Sequence, residues 1–291
     1  MSARTLAFAF MLACAPVFAD APPELPAGWS DGWALANGIR IHYYRAPAPG
    51  KPVLILAHGS SDDGRCWTAL ARELQGRYDM YLVDARGHGL TDAVREGDVA
   101  DAQVEDLAGF IREMRFDKPI LMGHSMGASS AAWLAAKYPD LLGAVILEDP
   151  GLLPRNYGAS SAADVEQRRH ETLERNNMTF DAMVARCMEN TPMWGYEECR
   201  QWAPSKLLHH PNNAYRRFGD RPSMEELFDK TTIPTLILKA DAPPDVRKQN
   251  VAVAKHLAKG KIVHIDGAGH NVRRERKAQL LISLNEFLDS L

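Results

Sequence analysis

Cysteine is scarce in this sequence, and the cysteines are not spaced as metal ligands. The 291 residues contain four cysteines, with no CxxC pair and no HxxxH pair of histidines. The CxxC and HxxxH spacings are typical of zinc sites, and because the sequence lacks both we expect no metal and no metal-dependent chemistry. Cys187 and Cys199 stand close together in the chain. They either form a disulfide in an oxidising compartment or remain buried thiols.

The sequence also lacks an excess of positive charge and, beyond its first residues, a long apolar run. It contains 34 Lys and Arg against 37 Asp and Glu, a net charge of −3, and no stripe of basic residues. Nucleic acid is therefore not an expected partner. No later run reaches the roughly 20 apolar residues of a membrane span, so we expect a soluble mature protein that binds a small molecule. The oligomeric state is left open.

The start of the chain resembles an export signal. Residues 1–19 carry one arginine, an apolar stretch from Leu6 to Val17 and the small-x-small pattern that ends at Ala19. Such a pattern is typical of a cleaved signal peptide, which predicts a periplasmic or secreted protein. The alternative is a buried N-terminal helix, which Pro16 would end early.

The remaining chain alternates apolar strands with helical stretches. With 46% hydrophobic residues it can bury a large core. Four strand-like runs, "PVLILA", "MYLVD", "PILMG" and "AVILEDP", are separated by helical segments, and "PTLILKA" and "KIVHI" follow later. This order predicts an α/β fold, a mostly parallel sheet with helices on both faces. The helical stretch over 151–229 is predicted to be an inserted cap, between core segments 20–150 and 230–291.

A GxSxG motif lies at the end of one predicted strand. Gly123 and Gly127 flank Ser125, and a helix rich in small residues follows. In this strand–turn–helix context the motif predicts a nucleophile elbow, where glycines permit a sharp turn that exposes the serine hydroxyl.

Four segments, "HGSSDDGRCW", "DARGHG", "GHSMG" and "GAGH", together resemble the alpha/beta-hydrolase superfamily over nearly the whole mature chain. Dehalogenases and epoxide hydrolases of this fold are similar to one another in placing aspartate at the elbow, whereas this chain has Ser125. The resemblance therefore implies acyl chemistry without a cofactor. It also implies that the backbone N–H groups of Ser60 and Met126 form an oxyanion hole.

A serine hydroxyl needs a base to become a good nucleophile, and His270 is the predicted general base. It follows the strand "KIVHI" and lies in a loop that contains Gly267 and Gly269. These glycines give the loop the freedom to fold over the site.

The acid that would orient His270 is ambiguous. In the commonest family pattern it follows the strand after the cap, but there "LILKADAPPDV" offers only an early Asp241. Other members place the acid at the end of the preceding strand, where "AVILEDPG" offers Glu148 and Asp149. We rank Asp149 first, then Glu148, then Asp241.

The cap supplies candidate substrate contacts, and the reaction remains open within one class. Met183, Trp194 and Trp202 are predicted to roof the site, although such residues also form the cores of helical layers. Asp62 and Asp63 are expected to cap a helix that starts near Gly64. The predicted function is hydrolysis of a carboxylic ester, lactone or related acyl bond. Alternatives are hydrolysis of an amide or a carbon–carbon bond on the same triad, or a ligand-binding sensor that retains the fold.

Overall fold

The computed structural model describes residues 21–154, 160–216 and 221–291. The predicted signal peptide, residues 1–19, lies outside the described residues. Within those three ranges no helix has both the length and the apolar character needed to cross a membrane.

Eight strands form a single sheet. They are β1 (Ser30–Ala36), β2 (Ile39–Ala46), β3 (Val53–Ala57), β4 (Asp79–Val83), β5 (Ile120–His124), β6 (Ala144–Glu148), β7 (Thr235–Lys239) and β8 (Gly260–His264). Their order across the sheet is β1-β2-β4-β3-β5-β6-β7-β8. Strands β3 to β8 are parallel, and β1 and β2 form an antiparallel hairpin at one edge. The prediction of a mostly parallel sheet is confirmed.

Ten α-helices accompany the sheet in the described part of the chain. They are α1 (Thr68–Leu74), α2 (Ala102–Glu113), α3 (Met126–Lys137), α4 (Ala162–Asn176), α5 (Phe180–Asn190), α6 (Gly195–Leu207), α7 (Met224–Asp229), α8 (Pro244–Ala254), α9 (Val272–Glu275) and α10 (Lys277–Leu288).

Helices cover both faces of the sheet because its central strands are apolar on both sides. Successive side chains of β3 point to opposite faces. Ile55 packs in a core with Phe110 of α2, whereas Leu56 packs in the other core with Leu284 of α10. A sheet buried on both faces explains why its strands are continuous apolar runs rather than alternating ones.

The cap helices α4, α5 and α6 lie in the chain between β6 and β7. Helices α5 and α6 enclose a small apolar core of their own, built around Met183, Val184 and Ala203. A disulfide joins Cys187 of α5 to Cys199 of α6. The cap is therefore held by its own contacts, separately from the cores that cover the sheet.

Helix α7 differs from the other helices of the segment predicted to be the cap. Its residues Met224, Leu227 and Phe228 are spaced i, i+3 and i+4, so they share one helix face. All three belong to the apolar core that covers one face of the sheet. Packing thus places α7 with the sheet, although α7 lies within the segment 151–229 predicted to be the cap.

Candidate active site

Ser125 occupies the turn between β5 and α3 in a strained conformation. Its φ is +49° and its ψ is −107°, a region that non-glycine residues rarely adopt. A side chain at Gly123 would overlap the backbone of Gly127, and one at Gly127 would overlap the carbonyl of Ala57. Both glycines are therefore required for the helix to start this close to the sheet.

The structure brings Ser125, His270 and Asp149 into one hydrogen-bonded chain. Nε2 of His270 lies 2.9 Å from Oγ of Ser125, and Nδ1 of His270 lies 2.6 Å from Oδ2 of Asp149. His270 is in the loop between β8 and α9, and Asp149 directly follows β6. The three side chains therefore meet at the carboxyl edge of the parallel strands, with the spacing that an activated nucleophile needs.

Two further groups hold Asp149 in its ionised form. Oδ1 of Asp149 forms an ion pair with Lys239 at the end of β7 and accepts the N–H of Ala240 at 3.1 Å. Burial opposes ionisation, but the hydrogen bond with His270 and the contacts with Lys239 and Ala240 outweigh it and lower the pKa of Asp149 to about 2. A carboxylate that stays charged at neutral pH can stabilise a protonated imidazole beside it.

The other two acid candidates bind elsewhere. Glu148 is fully buried, and its carboxylate accepts the backbone N–H of Arg273 at 2.8 Å and Nη1 of Arg273 at 3.0 Å. Asp241 pairs with Arg247 and accepts the N–H of Gly267 at 2.8 Å. The structure thus brings neither carboxylate to His270, which corrects the inclusion of Glu148 among the catalytic candidates. Successive side chains of a strand point to opposite faces, which separates Glu148 from its neighbour.

The candidate oxyanion loop, residues 58–63, runs against the nucleophile. A Cβ atom at Gly59 would lie 3.5 Å from Cβ of Ser125. In the part of the chain that the structure describes, neither the N–H of Ser60 nor that of Met126 has an acceptor. The latter belongs to the first turn of α3, whose N–H groups have no partner within the helix. Both donors are available for a ligand near Ser125.

The structure contradicts one of the three predicted substrate contacts in the cap. Met183 has no exposed surface and packs inside the cap's own core, so it cannot touch a ligand there. Trp194 packs against the guanidinium of Arg274 at 4.4 Å, and the ring of Trp202 lies 4.7 Å from Nζ of Lys206. The roles of the two tryptophans as substrate contacts remain predictions.

Asp62 has a different role from the predicted one. The helical turn over Gly64–Trp67 receives no side-chain cap, so the prediction that Asp62 and Asp63 cap it is wrong. The carboxylate of Asp62 lies instead within 3.1 Å of Lys206 and of Arg274. Residues 62 and 206 are 144 positions apart, and no local pattern pairs them. Among the described residues there is no cluster of His, Cys, Asp or Glu arranged to hold a metal.

Comparison with known proteins identifies the family of the chain. The model of the alpha/beta hydrolase family matches residues 54–281. The chain belongs to the alpha/beta hydrolase family. Relatives of the chain include hydrolases that act on small molecules.

Three of these similar proteins cover most of the chain. A 2-(acetamidomethylene)succinate hydrolase of Mesorhizobium japonicum is 28% identical over 82% of this chain and 88% of its own. An N-formylmaleamate deformylase of Pseudomonas putida is 28% identical over 89% and 96%, respectively. The structure of a thermophilic esterase from Thermogutta terrifontis, with malate bound, has a TM-score of 0.65 and 25% identity over 90% of this chain and 98% of its own. This alpha/beta hydrolase thus resembles enzymes of more than one specificity.

Proposed function

We propose that this alpha/beta hydrolase cleaves a carboxylic ester, lactone or related acyl bond of a small organic molecule, with Ser125 as its nucleophile. The hydrogen-bonded chain from Ser125 through His270 to Asp149 is the observation that carries the proposal. No cofactor is part of it.

The geometry supports a two-step acyl transfer. His270 takes the proton of Ser125 while Oγ attacks the carbonyl carbon, and the N–H groups of Met126 and Ser60 bind the resulting oxyanion. The intermediate then collapses, His270 gives its proton to the leaving alcohol, and an acyl-enzyme remains. A water molecule, deprotonated by His270, attacks the acyl carbon and releases the carboxylic acid and the free Ser125 hydroxyl.

Hydrolysis of an amide is the second candidate. The names of the two bacterial relatives contain an acetamido group and an N-formyl group, and the same triad can cleave such bonds. A panel that pairs esters, lactones and amides with the same acyl group distinguishes the two, since only the leaving group then differs. A pure ligand sensor has no need of the strained conformation at Ser125.

Covalent labelling tests the proposal directly. A fluorophosphonate is expected to modify Ser125 stoichiometrically, with the site located by peptide mass spectrometry. An activated ester is expected to release about one equivalent of alcohol in a rapid burst before steady turnover. A protein that is unlabelled at Ser125 and turns over no member of the panel would contradict the proposal.

We also propose that the mature protein is periplasmic or secreted. The signal-like pattern of residues 1–19 and the cap disulfide both support this location, because disulfides persist in oxidising compartments.

Loss of the disulfide is expected to destabilise the cap. The bond closes a loop of 12 residues, so Cys187→Ser and Cys199→Ser together should lower stability by about 3 kcal/mol. Thermal unfolding of the double variant, compared with that of Cys66→Ser, measures this effect. Cys66 is a buried free thiol, so its variant controls for loss of a buried sulfur atom. Equal melting temperatures for wild type and the double variant would contradict the prediction.

A further inference from the structure

Lys206 of cap helix α6 binds the oxyanion loop through its ammonium group. Its ammonium group donates to the carbonyl and the hydroxyl of Ser61, at 2.5 and 2.9 Å, and lies 3.1 Å from Oδ1 of Asp62. The side chain of Lys206 is only 8% exposed. An ammonium has three donors, and here all three are used on this loop, which leaves none to bind a substrate.

The orientation of the Ser60 N–H depends on the peptide that precedes it. The carbonyl of Gly59 accepts from Nδ1 of His58 at 2.7 Å and from the backbone N–H of Asp62 at 3.2 Å. Burial lowers the pKa of His58, and its Nε2 accepts the N–H of Ala85 at 3.0 Å, so the neutral ring carries its proton on Nδ1. Because a trans peptide is planar, a fixed Gly59 carbonyl directs the Ser60 N–H to the opposite side.

Asp62 is in turn held by cations from two other parts of the site. Its Oδ2 lies 3.4 Å from Nη2 of Arg273 and 3.1 Å from Nη2 of Arg274, both on helix α9 just after His270. Burial opposes ionisation of Asp62, but Arg274, Lys206 and Arg273 together hold its pKa well below the usual range. Arg274 also binds Glu198 of α6 at 2.6 Å. A single buried carboxylate thus joins the oxyanion loop, the cap and helix α9, which begins just after His270.

We propose that Lys206 and Asp62 are positioning residues that set the direction of the Ser60 N–H, so that the oxyanion hole is complete only with the cap in place. Neither side chain touches the reacting atoms. Lys206 fixes the Ser61 carbonyl and the Asp62 carboxylate, and Asp62 places the N–H that anchors the Gly59 carbonyl. The inference rests on the proposed function, because it concerns the oxyanion of that reaction.

Lys206→Met is the decisive variant, since methionine retains an apolar stem beside Trp202 but donates no hydrogen bond. Outright loss of one oxyanion donor lowers kcat by about 10²- to 10³-fold, and a misdirected donor should lower it by about 10- to 100-fold. The KM should stay within about threefold, and the affinity for a boronic acid or trifluoromethyl ketone that mimics the tetrahedral intermediate should fall by the same factor as kcat/KM. A merely structural role would not produce this parallel loss.

Asn212→Ala is the matched control. Asn212 also joins the cap segment to the core, by a hydrogen bond of 3.2 Å to the carbonyl of Val94, but its hydrogen bonds go to Val94 and His210 and not to residues 58–63. Its kcat and its affinity for the intermediate mimic should match those of wild type. If Lys206→Met fails to fold, Lys206→Gln is the second test variant. Glutamine is shorter and uncharged, so it cannot reproduce the three contacts of the ammonium group.

The outcomes separate this inference from the proposed function. A folded Lys206→Met or Lys206→Gln protein with wild-type kcat and wild-type affinity for the mimic overturns the positioning role, even when a fluorophosphonate labels Ser125 in both. A wild-type protein that is not labelled at Ser125 overturns the proposed function itself.

Discussion

Replacement of Ser125 by alanine is expected to lower kcat by about 10⁴- to 10⁶-fold while the protein stays folded. The variant removes the candidate nucleophile Oγ, which lies 2.9 Å from Nε2 of the candidate base His270. The residual rate would come from water attacking a substrate that is still bound beside the N–H groups of Ser60 and Met126. The KM should therefore change little, and the whole loss should appear in kcat.

Ser130→Ala is the matched control for this experiment. Ser130 lies in the same helix α3 and is buried, but it is not part of the hydrogen-bonded chain. Steady-state kinetics on the preferred substrate, with thermal unfolding measured in parallel, should place the control within about threefold of wild type. Comparable activity of Ser125→Ala and wild type would mean that the nucleophile is not this serine.

The parts of the molecule that local sequence determines could be predicted. The apolar runs of β3 to β7 have the length of buried strands and alternate with helices, which is enough to indicate a parallel sheet. Gly123 is required by the backbone of the same turn, whereas Gly127 is required by the carbonyl of Ala57 in the neighbouring strand. Both requirements are met by the five-residue GxSxG motif, so the elbow is visible in the sequence. His270 lies in a loop marked by glycines after a strand, and the structure places it beside Ser125.

The remaining features depend on which distant segments become neighbours. Asp149 and Lys239 form an ion pair because β6 and β7 are adjacent in the sheet. The local sequence of either strand does not reveal which strand will be its neighbour. Lys206 meets Asp62 only after the cap folds back over the core. A methionine such as Met183 is found in binding pockets as well as in helical cores. Packing between α5 and α6 places Met183 in the core of the cap.

Replacement of Asp149 by asparagine is expected to lower kcat by about 10³- to 10⁴-fold. Asparagine preserves the size of the side chain but removes the charge that stabilises protonated His270, and its amide group can hold the ring in the wrong tautomer. Since the pKa of Asp149 is about 2, the wild-type carboxylate stays ionised down to roughly pH 3. Mild acid therefore does not reproduce the variant, and the loss should persist across the neutral and alkaline range of a pH–rate profile.

Asp241→Asn decides whether the acid lies after β6 or after β7. Asp241 is exposed and binds Arg247 and Gly267 rather than His270, so its amide variant should keep activity within about threefold of wild type. The opposite ranking, with Asp241→Asn inactive and Asp149→Asn active, would show that the loop after β7 rearranges and supplies the acid. The two variants carry the same chemical change, from a carboxylate to an amide. Because His270 is stabilised by the carboxylate that it contacts, a difference between the rates of the two variants shows which carboxylate that is.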